Sequence, residues 1–116
     1  MTEPTPDQPV TRTVVLDAAI PSRTVSRVEV RRIRMLPHHP GGLHVHNCPV
    51  FGILETGSVV YQIEGEQPKV LRAGEVFYEP QDARIARFDA LEDGVTFLGY
   101  FLVGDGEVPE LWVPES

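Results

Sequence analysis

Apolar and polar residues alternate along this chain in short segments, most of which end at glycine or proline. A period of two is typical of a half-buried β-strand. Turn residues recur about every 8 to 12 positions, as in an antiparallel sandwich or barrel. We therefore predict an all-β fold of eight or nine short strands, at residues 13–16, 24–35, 43–46, 50–55, 59–64, 69–71, 76–79, 85–88 and 95–103.

The second of these segments contains a shift of phase. Apolar residues first occupy even positions, such as Val30, and then odd positions, such as Ile33. Because a slip of one residue exchanges the two faces of a strand, the shift predicts a β-bulge near Arg31 and Arg32. We interpret the arginines of this segment as a solvated strand face that protects a sheet edge.

The C-terminal segment is acidic from Gly104 onwards, except for an apolar triplet that contains the only tryptophan, Trp112. An apolar triplet of this kind favours a docked terminal strand over a free tail.

Composition limits the architecture to one domain with little helix. The chain has 116 residues, of which 41% are hydrophobic, and this length supports one ordinary core. Its 10 glycines and 11 prolines interrupt helices, because glycine costs conformational entropy and proline removes a backbone donor. We predict a disordered arm at residues 1–10, where Pro4, Pro6 and Pro9 separate polar residues, and a single domain at residues 11–116.

Charge and cysteine content exclude several classes of function. The net charge of -7 disfavours nucleic acid as a partner, and no apolar run reaches the length of a membrane span. We therefore expect a soluble protein that contacts neither nucleic acid nor membrane. The single cysteine, Cys48, forms no intramolecular disulfide, and we expect a cytoplasmic location.

His44 and His46 carry the main chemical signal, because a two-residue spacing places both imidazoles on one face of a strand. Neutral imidazoles at that separation suit Fe, Mn, Ni, Cu or Zn. His38 and His39 precede this pair in a proline-flanked loop. They are solvated loop residues or, alternatively, groups at the rim of the site.

The residues around this pair resemble the two signature motifs of the cupins. The first motif is HxH, three or four residues, Glu, six residues and Gly, and it resembles residues 41–46 with Val50 and Gly57. The second is Gly, five residues and Pro, with a His five positions later, and it resembles residues 74–80. The resemblance covers about residues 28–103 and implies a double-stranded β-helix, or jelly-roll, barrel.

The resemblance also implies one divalent metal in the barrel mouth, held by His44 and His46. Val50 occupies the position of the motif Glu, and Ile85 that of the third His, so half of the ligand set is absent. Two imidazoles without an anionic ligand bind a divalent ion weakly, and the site needs another ligand or holds no metal. Cys48 continues the strand alternation and is our candidate third ligand, as a thiolate.

Two alternatives to that ligand remain. Cys48 is instead a small buried apolar residue that Pro49 turns away from the histidines. Glu79 is a second candidate ligand, which we rank below Cys48 because its strand places Val76 and Tyr78 together on the opposite face.

We predict a substrate pocket with Val50 and Ile85 at its floor and with Tyr61 and Tyr78 along its walls. Arg87 lies two positions beyond Ile85 and would anchor a carboxylate or phosphate if it shared the inward face; the alternative is an outward arginine near the rim.

Leu43 and Val45 lie on the face opposite the histidines and need a cover. The N-terminal strands, the Trp112 segment and a second subunit are the candidates, and the resemblance implies a homodimer.

Two functions remain open at this point. The chain is a metal-dependent oxygenase or isomerase that uses His44 and His46, or a metal-free module that binds or senses a small organic molecule. A filled structural barrel is the weakest alternative, because two buried imidazoles without partners are costly.

Overall fold

The computed structural model describes residues 8–115, and this part of the chain contains no helix, which confirms the all-β prediction. Accordingly, it has no helix long and apolar enough to cross a membrane. Residues 1–7 of the predicted arm lie outside the described part. The strands of residues 8–115 are β1 (Arg27–Met35), β2 (Val45–His46), β3 (Val50–Ile63), β4 (Lys69–Arg72), β5 (Val76–Glu79), β6 (Ile85–Val103) and β7 (Leu111–Trp112).

The main sheet has the antiparallel order β1-β6-β3-β4, with β5 also paired to β3. Two long bent strands, β3 and β6, take the place of four predicted short ones. Val50 lies opposite Phe101, whereas Tyr61 lies opposite Phe88 beyond two register shifts. Gly57, with φ of 78°, lies where the strand bends, and a Cβ there would be 2.0 Å from a backbone carbonyl oxygen of β6.

The β-bulges lie in this β3–β6 pair and not in β1, where we predicted one. Strand β1 pairs with β6 in an unbroken register from Arg27 to Met35. Its apolar residues therefore divide between the two faces. Ile33 packs against the core, whereas Val28 and Val30 are 52% and 51% exposed.

Aromatic side chains form the centre of the main core. Phe77, Phe88 and Phe97 lie at ring-centre distances of 5.0 to 5.7 Å in tilted or edge-to-face pairs. Such arrangements are the preferred ones for aromatic rings, and the three rings belong to the main core cluster.

The two ends of the described chain behave differently. Residues 8–26 form no strand, including residues 13–16, where we predicted one, and Val14 and Val15 are exposed. At the other end, β7 pairs with β2, with Trp112 opposite Val45. The C-terminal triplet is thus docked through backbone pairing, although Leu111, Trp112 and Val113 stay 60%, 45% and 74% exposed.

Candidate metal centre

Two imidazoles and one carboxylate converge near the ends of strands β2 and β5. The Nε2 atoms of His44 and His46 lie 3.2 and 2.5 Å from the same Glu79 oxygen, Oε2. The ligand atoms of the three side chains all lie within 4.8 Å of one another. All three residues are at least 92% buried, since their exposed fractions are 8%, 6% and 4%. Among residues 8–115, this is the one cluster of at least three such side chains.

Backbone pairing fixes each member of this cluster. His44 exchanges two backbone hydrogen bonds with Ile85, of 3.0 and 2.9 Å, and His46 is paired to β7. Glu79 ends β5 and lies directly opposite Val50 of β3. The three side chains therefore come from three strand pairings that meet at one edge of the barrel.

Hydrogen bonds orient the His44 ring and shift the pKa values of His44 and Glu79. His44 Nδ1 lies 2.9 Å from the Gly42 carbonyl oxygen and donates to it, which leaves Nε2 facing Glu79. Burial would raise the pKa of the Glu79 carboxyl, but hydrogen bonds from His44 and His46 outweigh burial and lower it. Burial would lower the pKa of His44, but the hydrogen bond to Glu79 outweighs it and raises that pKa.

These residues fit a divalent transition metal by the chemistry of their donors. Two imidazole nitrogens and one carboxylate oxygen are ligands of Fe, Mn, Ni, Cu and Zn, and the carboxylate supplies the negative charge that two histidines lack. The Gly42 carbonyl supports His44 from behind, as outer partners of metal-bound histidines do.

A cavity of about 210 Å³ lies beside the cluster. Its walls are mainly apolar and include Ile33, Met35, Phe77 and Phe97. At its polar positions are the three cluster residues, Arg31 and Glu110. A small organic molecule in this cavity would contact the candidate ligands directly.

Solved structures of low sequence identity share this architecture. A cupin-like protein from Thermotoga maritima gives a TM-score of 0.63 at 19% identity, over 74% of this chain and 65% of that one. A double-stranded β-helix protein from Klebsiella pneumoniae gives 0.61 at 16%, over 84% and 86%. The DMSP lyase DddQ from Ruegeria pomeroyi gives 0.62 at 16%, over 72% of this chain but only 42% of the lyase.

The chain has the cupin fold. The expected double-stranded β-helix is thereby confirmed. No protein-family model and no curated protein matches the chain.

Strand pairing explains how Glu79 comes to face the histidines. Val50 occupies the position of the motif Glu, and Glu79 is its direct partner across the strand pair. Because residues directly opposite each other in an antiparallel pair share a face, Glu79 presents a carboxylate beside the position where the cupin motif has one. Glu79 and Tyr78 lie on opposite faces of β5, as strand alternation predicts. The face of β5 that carries Glu79 is the inward one, and this is the reason why our ranking of Glu79 below Cys48 does not match the structure.

Cys48 lies outside this cluster. Its side chain is completely buried and packs in a separate apolar group with Val50, Phe101 and Val103. Burial raises the pKa of the Cys48 thiol, which disfavours the thiolate that a metal requires. These surroundings match the alternative role of a small apolar core residue.

The predicted pocket residues separate into one that lines the cavity, Val50, and four that lie elsewhere. Tyr61 is buried in the aromatic core, where its hydroxyl donates to the Tyr78 carbonyl oxygen. Tyr78 stacks on Phe51 at 4.7 Å on the face opposite Glu79.

The other two are Ile85 and Arg87. Ile85 is completely buried in the core, and Arg87 points outward, where its Nε donates to Asp89 at 3.0 Å. Arg87 does not share the inward face of Ile85 because a register shift next to Gln62 breaks the alternation between these two residues. His38 and His39 lie in an exposed loop, in agreement with their interpretation as solvated residues.

Proposed function

We propose that this chain binds one divalent transition metal through His44, His46 and Glu79 and acts as a metal-dependent enzyme on a small organic molecule. The observation that carries the proposal is the convergence of both Nε2 atoms on Glu79 Oε2 at the wall of a cavity. An oxygenase or isomerase is the reaction class that we propose. Two histidines and one carboxylate with open positions form the ligand set of non-haem Fe(II) oxygenases.

The metal would supply Lewis-acid polarisation of a bound substrate or activation of dioxygen. The chain's own residues supply the surroundings. Gly42 orients the His44 ring, and Glu79 contributes the only negative charge among the three donors. The apolar walls, such as Phe97 and Met35, exclude water and confine a substrate beside the donors.

The fold neighbours support small-molecule chemistry in general terms, because one of them is a DMSP lyase. One scaffold hosts many reactions, so the choice of reaction rests on the site itself.

The alternative is a metal-free module that binds or senses a small molecule. One observation favours it: the Glu79 carboxylate lies within hydrogen-bond distance of both imidazoles, so the three buried side chains satisfy one another. Elemental analysis of protein purified without chelator separates the two functions. We expect about one equivalent of transition metal in the wild type and almost none in a His44→Ala, His46→Ala variant. Less than about a tenth of an equivalent in the wild type would reject the enzyme proposal.

We also propose a homodimer, because an apolar strip on β1 remains exposed. Val45 is buried, but Val28 and Val30 remain half-exposed on edge strand β1. A light-scattering mass of one subunit at micromolar concentration would reject it. The cytoplasmic location stays a prediction.

A further inference from the structure

Arg31 is the cationic side chain that lines the cavity beside the candidate metal centre. It lies on β1, two residues before Ile33, on the same inward face. Its direct partner on β6 is Gly99, which has no side chain. The guanidinium therefore extends over the neighbouring Phe101 ring, with Cζ 4.9 Å from the ring centre.

Two contacts hold this guanidinium while leaving most of its donors free. Its Nε donates to Glu29 Oε2 at 2.5 Å, and its plane is supported by Phe101. Within residues 8–115, neither Nη of Arg31 has a hydrogen-bond partner. Four N–H groups in a fixed fork thus remain for a ligand, and a fork of this kind matches the two oxygens of a carboxylate.

The local charge also favours an anion at this position. Glu29 is shared between Arg31 and Arg27, whose Nη1 lies 3.1 Å from Glu29 Oε1. One carboxylate between two guanidiniums leaves one surplus positive charge. Two carboxylates line the rest of the cavity, Glu79 and Glu110, and both would repel an anion, so the charged end of a ligand is directed to Arg31.

The distances suit a short ligand whose charged end lies at Arg31. The Phe101 ring centre is 4.9 Å from Arg31 Cζ and 5.9 Å from the His46 ring centre, so at most 10.8 Å (4.9 plus 5.9) separates the two groups. The volume of about 210 Å³ and the apolar walls between them suit a chain of a few carbons.

We propose that Arg31 is a specificity-determining residue that binds the carboxylate of a small monoanionic organic acid, whose other end faces His44, His46 and Glu79. This inference rests on the proposed function for the role of that second end. The anchor itself does not require a metal, and this allows the two proposals to be tested separately.

Pentanoate and its neutral isostere pentanamide are suitable probes, because they differ only in the group that would contact Arg31. Their dissociation constants are measured by NMR titration at pH 7.5 on chelator-treated protein. We expect the wild type to bind pentanoate at least about tenfold more tightly than pentanamide, since a charge-assisted fork is lost with the amide. Arg31→Gln should abolish this preference, and Arg31→Lys should retain only part of it.

Arg34→Gln is the matched control, because it removes one positive charge from the outward face of the same strand. It should leave the preference unchanged, and a thermal melt of each variant verifies that it is folded. Equal affinity for both probes in the wild type, or an equal preference in Arg31→Gln and the wild type, would overturn the inference.

A zinc titration of the same proteins separates this result from the metal proposal. Zinc binding that is unchanged in Arg31→Gln, together with loss of the pentanoate preference, supports both proposals. Zinc binding without an Arg31-dependent preference rejects the anchor alone. An Arg31-dependent preference in a protein that binds no zinc supports the anchor and rejects the metal function.

Discussion

Replacement of Glu79 by glutamine tests the ligand set with minimal change of shape. The substitution keeps the side-chain volume and removes the only negative charge among the three buried donors. Loss of an outer partner of a metal ligand costs about ten- to hundredfold in affinity, so loss of a ligand charge should cost at least about a hundredfold.

The expected effect on thermal stability follows from this factor. Zinc at 100 times its dissociation constant stabilises the wild type by about 2.7 kcal/mol, which is about 10 °C in Tm for a chain of this length. At the same zinc concentration, a hundredfold weaker variant gains only about 0.4 kcal/mol, or about 2 °C. Differential scanning fluorimetry with and without zinc at pH 7.5 measures both shifts.

Glu92→Gln is the control, because it removes the same charge from an exposed position. It should keep the full zinc-dependent shift. A shift in Glu79→Gln as large as that in the wild type would refute the assignment of Glu79 as a ligand.

Three further predictions concern the surroundings of the site. Cys48→Ser should retain full zinc affinity by calorimetry but lower the free energy of unfolding by about 1 to 3 kcal/mol, because it places a hydroxyl in an apolar cluster; reduced zinc affinity would restore the thiolate hypothesis. Gly57→Ala should lower the free energy of unfolding in urea by at least about 2 kcal/mol, since its Cβ would lie 2.0 Å from a carbonyl oxygen. Gly65→Ala, also at positive φ but in open space, should lower it by less. Equal losses in the two variants would contradict the close approach at Gly57. In metal-free protein, the stability difference between the wild type and Glu79→Gln should be largest between pH 4.5 and 6.5, the ordinary pKa values of Glu79 and His44. The lowered pKa of Glu79 means that its contribution is lost as pH falls through that pKa, and the raised pKa of His44 means that its contribution is lost as pH rises through that one; a difference that is constant from pH 4 to 8 would contradict this.

The fold was largely predictable because its signals are local. Alternation and the glycine and proline turns indicated the strands, and the spacing of His44 and His46 indicated two of the three candidate ligands. Glu79, the third candidate ligand, was ranked below Cys48. Its position depends on the pairing of Val50 with Glu79, a contact between two strands whose register a single sequence does not specify.

The arginine that faces the cavity was missed for a related reason. The arginine cluster of residues 24–35 was interpreted as a solvated strand face, and the spacing from Ile85 made Arg87 the candidate anchor. The structure has the register shifts in the β3–β6 pair, which turn Arg87 outward, and an unbroken β1, which turns Arg31 inward. A bulge moves every later side chain to the other face, so its location decides which residues reach the site.

X-ray absorption spectroscopy of protein loaded with one equivalent of zinc tests the central claim most directly. A centre built by His44, His46 and Glu79 predicts only nitrogen and oxygen neighbours at about 2.0 to 2.2 Å, with the scattering pattern of two imidazoles. A sulfur neighbour at about 2.3 Å would identify Cys48 as a ligand, and a spectrum without imidazole scattering would place the zinc elsewhere; either result would contradict the proposed centre.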